Sequence, residues 1–366
     1  MDISLHPFRL PLRGPIAVGG IEISERRGII VKICGEEGSF GLGEVAPLPG
    51  LDRDGLDALH AELGRLTAWL PGRGFPGEPK LDAPFFGLPA PPFKLSPLAA
   101  FGMEGALLWL MAARGRIRLS PERAGEALAV AVNGLFSPPE SDREAGEQLT
   151  QLKDSGFSTV KVKIGRLDPE LEIRRIKDLW DFFGGNVRLR LDANRALSPS
   201  LYRGYYEALE PMNVEYVEEP LGKDFPVSSA PAVPWPLALD ESAGLYLNPD
   251  NPDPGDLPAG VAAVILKPGS FWGVSGMFKA MKALGAAGVK TVLSSSFNTG
   301  AGIIALALLA RLAARDTAHG LDTLKRLHGD VLAESPAIKG GRMVLPGSVF
   351  SAGLRQDFGA ACGVSA

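Results

Sequence analysis

The sequence predicts an α/β protein whose larger part is a closed, TIM-like (β/α) barrel behind an α+β N-terminal domain. Three observations carry this. Over residues 128–329, short apolar strands alternate with helical stretches, and repeated strand–helix units imply a parallel sheet. That many units favour closure over an open doubly wound sheet. Polar residues recur at one end of the strands at near-constant spacing, and no GxGxxG opens a helix after a strand, which argues against a dinucleotide site.

Residues 1–97 read as an α+β capping domain. "GIIVKICG" and "GSFGLGEV" are short strands around a glycine turn. In "DRDGLDALHAELGRLTAWL", Leu56, Leu59, Leu63, Leu66, Trp69 and Leu70 have helical spacing. Residues 71–97, rich in proline and glycine, read as a covering segment. The apolar run "LAAFGMEGALLWLMAARG" is interrupted by Glu104 and fits a buried helix better than a membrane span; residues 98–127 are assigned to a connecting helix. The barrel follows from "ALAVAVNG" through "TVKVKIG", "VRLRLDAN", "VEYVEEP", "PLALDES", "VAAVILKPG" and "TVLSSSFN". Two connections, 222–236 and 248–260, are too proline-rich for good helices. Residues 330–366 resume loop and strand character and are expected to pack back on the cap and complete it. The loop 12–20, with Gly14, Gly19 and Gly20, is expected to fold over the barrel mouth.

With 366 residues, 45% of them apolar, the chain can bury a large core. A net charge of −4 without a basic cluster gives no support for nucleic-acid or membrane-surface partners. Cys34 and Cys362 are too few for a disulfide framework. "MDISLHPFRL" lacks the apolar core of a signal peptide, so a cytoplasmic location is expected. Nothing in the sequence sets the oligomeric state.

The stretch "TVKVKIG" raises the functional question. Successive strand residues point to opposite faces, so Lys161 and Lys163 share one face and Val160, Val162 and Ile164 the other. Taken alone, this reads as an edge strand whose lysines discourage unwanted pairing. The strand ends change the balance. Lys163, Asp192, Glu218 or Glu219, Asp240, Lys267 and Ser294 follow one another at intervals of 22 to 29 residues, one strand–helix unit each. In a barrel, that end is where active sites are built. Arg190, Asp192 and Asn194 share a face; Asp240 shares parity with Ala238, and Lys267 with Ile265. Three carboxylates at one mouth repel one another unless a cation sits among them. Hard oxygens without Cys or His suit Mg²⁺. Such an ion can stabilise the enediolate formed when an α-proton leaves a carboxylate substrate. A lysine becomes the base once its pKa falls from about 10.4 toward ~7–8, a shift costing roughly 3–5 kcal/mol. A neighbouring cation pushes that way.

KxK at the second strand, DAN at the third, EEP at the fourth, DES at the fifth and a lysine at the sixth resemble the enolase superfamily, in its muconate-lactonizing subgroup. "GLGEVAPLPG", "VNGLF", "RLDANRAL", "LSSSFNTGAG" and "HGLDT" extend the resemblance over nearly the whole chain. It implies the modified barrel of that superfamily under an α+β cap. It implies Mg²⁺, with Mn²⁺ able to substitute, on Asp192, Glu218 and Asp240. Glu218 is preferred to Glu219 because the first acid of this motif persists as the ligand in related sequences. Lys163 would be the general base, Lys161 would tune it and contact the substrate carboxylate, and Lys267 would face the opposite side. Arg190 and Asn194 would orient substrate or ligands, and backbone groups near Ser294 and Gly320 would receive a second, distal carboxylate. The implied substrate is a small carboxylate, and the implied reaction is α-proton abstraction with loss of water. Racemisation of N-acylamino acids or epimerisation of dipeptides would use the same residues. A non-catalytic metal-binding barrel is the alternative of another class.

Overall fold

The computed structural model describes residues 1–74, 78–119, 127–225, 229–230, 233–248, 250–270, 273–314, 316–356 and 358. Strands β1 (Asp2–Val18), β2 (Ile21–Cys34) and β3 (Phe40–Val45) form an antiparallel sheet in that order. β1 carries Pro7, Pro11 and Pro15 and is an edge strand, where a missing N–H is tolerated. The segment 12–20 is a hairpin rather than a loop. Ile16 pairs with Ile23 and Val18 with Ile21, after a register shift beyond Pro11. Gly19 and Gly20 turn it with φ of +55° and +82°, the left-handed pair a tight hairpin turn needs. The hairpin is tied toward the barrel where Leu12 bridges Leu327 and the His328 amide donates to the Pro11 carbonyl.

Helix α1 (Leu56–Trp69) buries Leu59, Leu63, Leu66 and Trp69 against this sheet. Helix α2 (Pro97–Ala113) starts at Ser96, whose hydroxyl accepts from the Ala99 amide. It is buried on almost every side because β3 covers one face and barrel helices cover the other. A Cβ at Gly43 would stand 1.8 Å from the Gly102 carbonyl oxygen, and one at Gly41 1.9 Å from that of Ala106. Glycine is therefore what lets β3 lie on the helix backbone. α2 ends well short of residue 127, and residues 120–126 of the expected helix lie outside the described residues.

The run "ALAVAVNG" splits. β4 (Ala129–Ala131) pairs antiparallel with β13 (Arg342–Val344), which pairs with β12 (Ala337–Lys339). β5 (Gly134–Phe136) stays in the barrel. β6 (Thr159–Lys163), β7 (Arg188–Asp192), β8 (Val214–Glu218), β9 (Leu237–Leu239), β10 (Val261–Leu266) and β11 (Lys290–Leu293) follow, all parallel and in chain order. Parallel bridges Ser294–Gly320 and Val132–His319 close the ring through a rudimentary eighth strand. Around it lie α3 (Asp142–Asp154), α4 (Pro169–Phe182), α5 (Pro199–Leu209), α6 (Gly273–Ala286) and α7 (Gly300–Ala313). Ser141, Asp168 and Ser198 cap the first three of these with their side chains. Among the described residues, neither proline-rich connection forms an α-helix: 248–260 holds one 3₁₀ turn at Pro254–Asp256, and a second turn, Ala243–Leu245, lies between the two connections; residues 226–228, 231–232 and 249 lie outside the described residues.

One large apolar core joins cap and helices, while Tyr216, Ala238, Ala263, Ile265 and Val292 form a separate cluster inside the barrel. The C-terminal segment divides its contacts. Residues 337–344 pair with β4 at the barrel, whereas Phe350 meets Trp109 edge-on and Gly353 lies against Phe40 of the cap. Residues 357 and 359–366, with Cys362, lie outside the described residues.

Candidate active site

Strand register brings the site together. Lys163 pairs with Asp192, Asp192 with Glu218, and Glu218 with Ala238. Ala238 and Ile265 belong to the interior cluster. Asp240 and Lys267, each two residues further on, therefore emerge at the C-terminal mouth on the same inward side. The two lysines of "TVKVKIG" also point inward, with side chains 15% and 17% exposed. Lys161 Nζ lies 2.6 Å from Asp192 Oδ2 and 2.7 and 2.9 Å from the two oxygens of Glu218. Lys163 Nζ lies 2.6 Å from Asp192 Oδ2 and 2.7 Å from Asn194 Oδ1. Lys267 pairs with the Asp240 carboxylate.

The charges set distinct protonation behaviour. Burial disfavours charge on Lys161, but Asp192, Glu218 and Asp240 outweigh it and hold the ammonium well above the usual lysine range. Burial and the Lys161 charge win at Lys163, whose pKa is lowered despite Asp192. Glu218 is pushed up to about 8, by burial first and then by the charges of Asp192 and Asp240.

Neighbouring residues fix the loops. Glu219, the second acid of "EEP", accepts from the amides of Asp240 and Ser242, each at 2.8 Å, and from the Ser242 hydroxyl at 2.6 Å. Its carboxylate is engaged by the next loop, while that of Glu218 faces Lys161. Glu172, fully buried on α4, accepts from the amides of Gly165, Arg166 and Leu167 and from the Tyr205 hydroxyl. It thereby clamps the loop that follows Lys163. Asn194, Arg195, Glu219 and Phe297 have φ between +43° and +64°; all four follow barrel strands, where left-handed backbone is held by its surroundings.

Two expectations from the sequence need correction. Arg190 shares the face of Asp192 but sits one layer deeper and is 1% exposed. Its guanidinium stacks over Tyr216 at 5.1 Å, and binds Glu215 at 2.7 Å, Asn133 at 3.2 Å and the Ala318 carbonyl at 2.6 Å. It builds the barrel floor and does not reach a substrate at the mouth. The amides of Ser294 and Gly320 donate to the Leu266 and Leu293 carbonyls in the closing ladder, so neither is available to a carboxylate. Ser294 faces inward by its parity with Val292, leaving its hydroxyl. Asn194 is exposed at the rim beside Lys163.

Sequence reading missed three nearby groups. Arg166 and Glu241 both contact the Asn194 side chain, and the Asp52 carboxylate of the cap approaches Gly269, two residues past Lys267. Glu241 stood in "DES" and Arg166 followed "KIG", but only the fold shows them converging. No sequence signal brings Asp52 there.

Asp192, Glu218 and Asp240 offer hard oxygens from adjacent strands, a donor set that fits Mg²⁺. Glu218 is raised by burial first and by Asp192 and Asp240 next, so a cation among the three acids would favour its ionised form. In this arrangement the carboxylates turn to the lysines, and among the described residues no three acidic, His or Cys side chains converge to hold a metal.

Fold and cluster together define a capped (β/α)-barrel enzyme. The family model described as enolase C-terminal domain-like matches residues 144–353, and the chain belongs to that family. The o-succinylbenzoate synthase of Pasteurella multocida is 25% identical over 345 residues, spanning 91% of this chain and 92% of its own. A dipeptide epimerase from Enterococcus faecalis, in complex with Mg and the dipeptide L-Leu-L-Tyr, superposes with a TM-score of 0.76 at 21% identity, covering 97% of this chain and 99% of that one. An N-succinyl Arg/Lys racemase from Bacillus cereus does so with 0.75 at 18%, covering 100% and 99%. At these identities the two structures speak for the fold. No helix among the described residues is long and apolar enough to cross a membrane.

Proposed function

We propose that the protein is an o-succinylbenzoate synthase: a cytoplasmic hydro-lyase removing water from 2-succinyl-6-hydroxy-2,4-cyclohexadiene-1-carboxylate in menaquinone biosynthesis. The observation that carries this is the pair Lys161 and Lys163. Both point into the mouth; one is held cationic by carboxylates, and the other is depressed by burial and by that cation. Relatives bearing that name match about nine-tenths of the chain. In this reading residues 1–97 cap the site, 98–127 connect and 128–329 carry the chemistry, while the segment from 330 on is shared between barrel and cap.

Asp192, Glu218 and Asp240 would hold Mg²⁺, or Mn²⁺ in its place. When bound, the ion supplies charge stabilisation to the developing enediolate. Lys163, released from Asp192, takes the proton from C1 and then gives it to the departing C6 hydroxide, so that water leaves and the ring becomes aromatic. Lys161, beside burial, lowers the pKa of Lys163 and meets the substrate carboxylate. Lys267, just past β10 and four strands away, presents its cation to the other face of the ring. Asn194 orients Lys163 by its 2.7 Å contact, and the Ser294 hydroxyl receives the succinyl carboxylate.

The placement of Lys163 and Lys267 on opposite sides of the barrel also suits a racemase acting on N-acylamino acids, which needs a base on each face. One experiment separates the readings. Purified protein with Mg²⁺ is offered the cyclohexadiene and, in D₂O, a panel of N-succinylamino acids. Dehydration is expected, and Lys267→Arg, which keeps a cation but no usable base, should exchange the α-proton of one enantiomer only. Brisk racemisation by the wild type without dehydration would overturn the synthase reading.

A further inference from the structure

Two stretches singled out by the sequence, 41–50 and 293–302, take no part in the lysine–carboxylate cluster, yet they meet. Glu44 on β3 is 1% exposed and reaches from the cap to the start of α7. Its Oε2 accepts from the Thr299 amide at 2.8 Å, the Thr299 hydroxyl at 2.6 Å and the Gly302 amide at 3.1 Å. Its Oε1 accepts from Asn298 Nδ2 at 3.0 Å, and Asn298 Oδ1 accepts from the Ser296 amide at 2.8 Å. From β2, Arg26 donates to the Phe297 carbonyl at 3.3 Å and to those of Ala46 and Pro47, each at 2.7 Å. Phe297 is held at φ +55°. A Cβ at Gly302 would come within 2.7 Å of Glu44 Oε2, so glycine there is what admits the carboxylate.

Capping a helix needs one acceptor, and apolar packing would join cap to barrel without burying a charge. Four donors on one carboxylate, with a relay through Asn298 to the Ser296 amide, instead define the path of one loop. That loop begins at Ser294. We propose that Glu44, acting through Asn298 and alongside Arg26, is a positioning residue that sets the conformation of residues 294–299 and with it the affinity for the substrate's distal carboxylate. The substrate rests on the reading above; the loop assignment does not.

The test uses Glu44→Gln and Asn298→Ala, each with Mg²⁺. The Gln amide turns a donor toward donors, and the Ala variant cuts the relay while leaving Glu44 in place. KM for the cyclohexadiene should rise about tenfold, the loss of one hydrogen bond to a buried charge. kcat should stay within about threefold, a split that general destabilisation does not produce. Hydrogen exchange at the Ser296 amide should accelerate at least tenfold, with the β11 amides unchanged. Unchanged KM, or unchanged exchange at Ser296, overturns the proposal. If Glu44→Gln does not fold, Asn298→Ala decides alone. If the wild type does not turn over the cyclohexadiene, the functional reading fails, and the exchange measurement still decides the loop assignment.

Discussion

Two of the places where the molecule buries carboxylates treat them in opposite ways. At the barrel mouth, Asp192, Glu218 and Asp240 face Lys161, Lys163 and Lys267, ion against ion. At the seam between cap and barrel, Glu44 and Glu104 are satisfied chiefly by amides and neutral side chains. Glu104 of α2 accepts from the Ser275 amide and hydroxyl at the start of α6, and from the Phe85 amide, each at 2.8 Å. Both seam carboxyls are pushed up to about 7 by burial, against the pull of their donors. Mobile ammonium partners can be exchanged for a metal or a substrate. Fixed backbone donors cannot be exchanged, and they hold geometry. The first arrangement suits chemistry and the second suits alignment.

The largest test of that division is Lys163→Ala. It should lower kcat by about 10³-fold or more, the scale of a lost general base, with the fold intact by circular dichroism. A variant keeping a tenth of wild-type kcat would show that the cluster is not the reaction centre. Next comes Glu218→Gln, expected to weaken Mg²⁺ binding about 10- to 100-fold by titration calorimetry. Its apo form should behave differently with pH. The folded pKa of Glu218, about 8, lies above the ordinary 4.5, so the wild type loses stability as pH rises through that window. The melting temperature of Glu218→Gln relative to wild type should therefore increase from pH 5 to pH 9; a constant difference would contradict the raised pKa that burial and the neighbouring acids give Glu218. The smallest effect belongs to the seam. Glu104, with Lys94 and Asp250 lining the adjoining cavity, also has a raised folded pKa. Its contribution is full below about 4.5 and fades as pH rises through 7, a change of about 3 kcal/mol. Glu104→Gln should flatten this part of the stability–pH curve while leaving Mg²⁺ affinity unaltered. An unchanged curve would remove Glu104 from the comparison.

Much of the mouth was legible because strand parity is a strict rule: it turned Lys161, Lys163, Asp192 and Lys267 to one side without any structure. Parity reports face, not height, and so Arg190 was read as a substrate contact when it lies a layer down on Tyr216. It could not choose between Glu218 and Glu219 either; the left-handed backbone at Glu219 aims its carboxylate into the next loop. The proline-bearing β1 was hidden because edge strands need not look like strands. The seam was illegible for another reason. Glu44 finds its partners some 250 residues away, and the signatures containing them read as two separate motifs until the fold placed one against the other.

The pairing of β4 with β13 and the closing bridge at His319 have a bearing on synthesis. β4 and Val132, just ahead of the strand that opens the barrel, wait for partners made roughly two hundred residues later, and contacts of this separation are slow to form. A nascent chain released as far as β11 would carry the whole lysine–carboxylate cluster on a sheet with two open edges. Such edges invite pairing with other chains. During translation, this protein should therefore engage ribosome-associated chaperones until the β12–β13 hairpin has emerged.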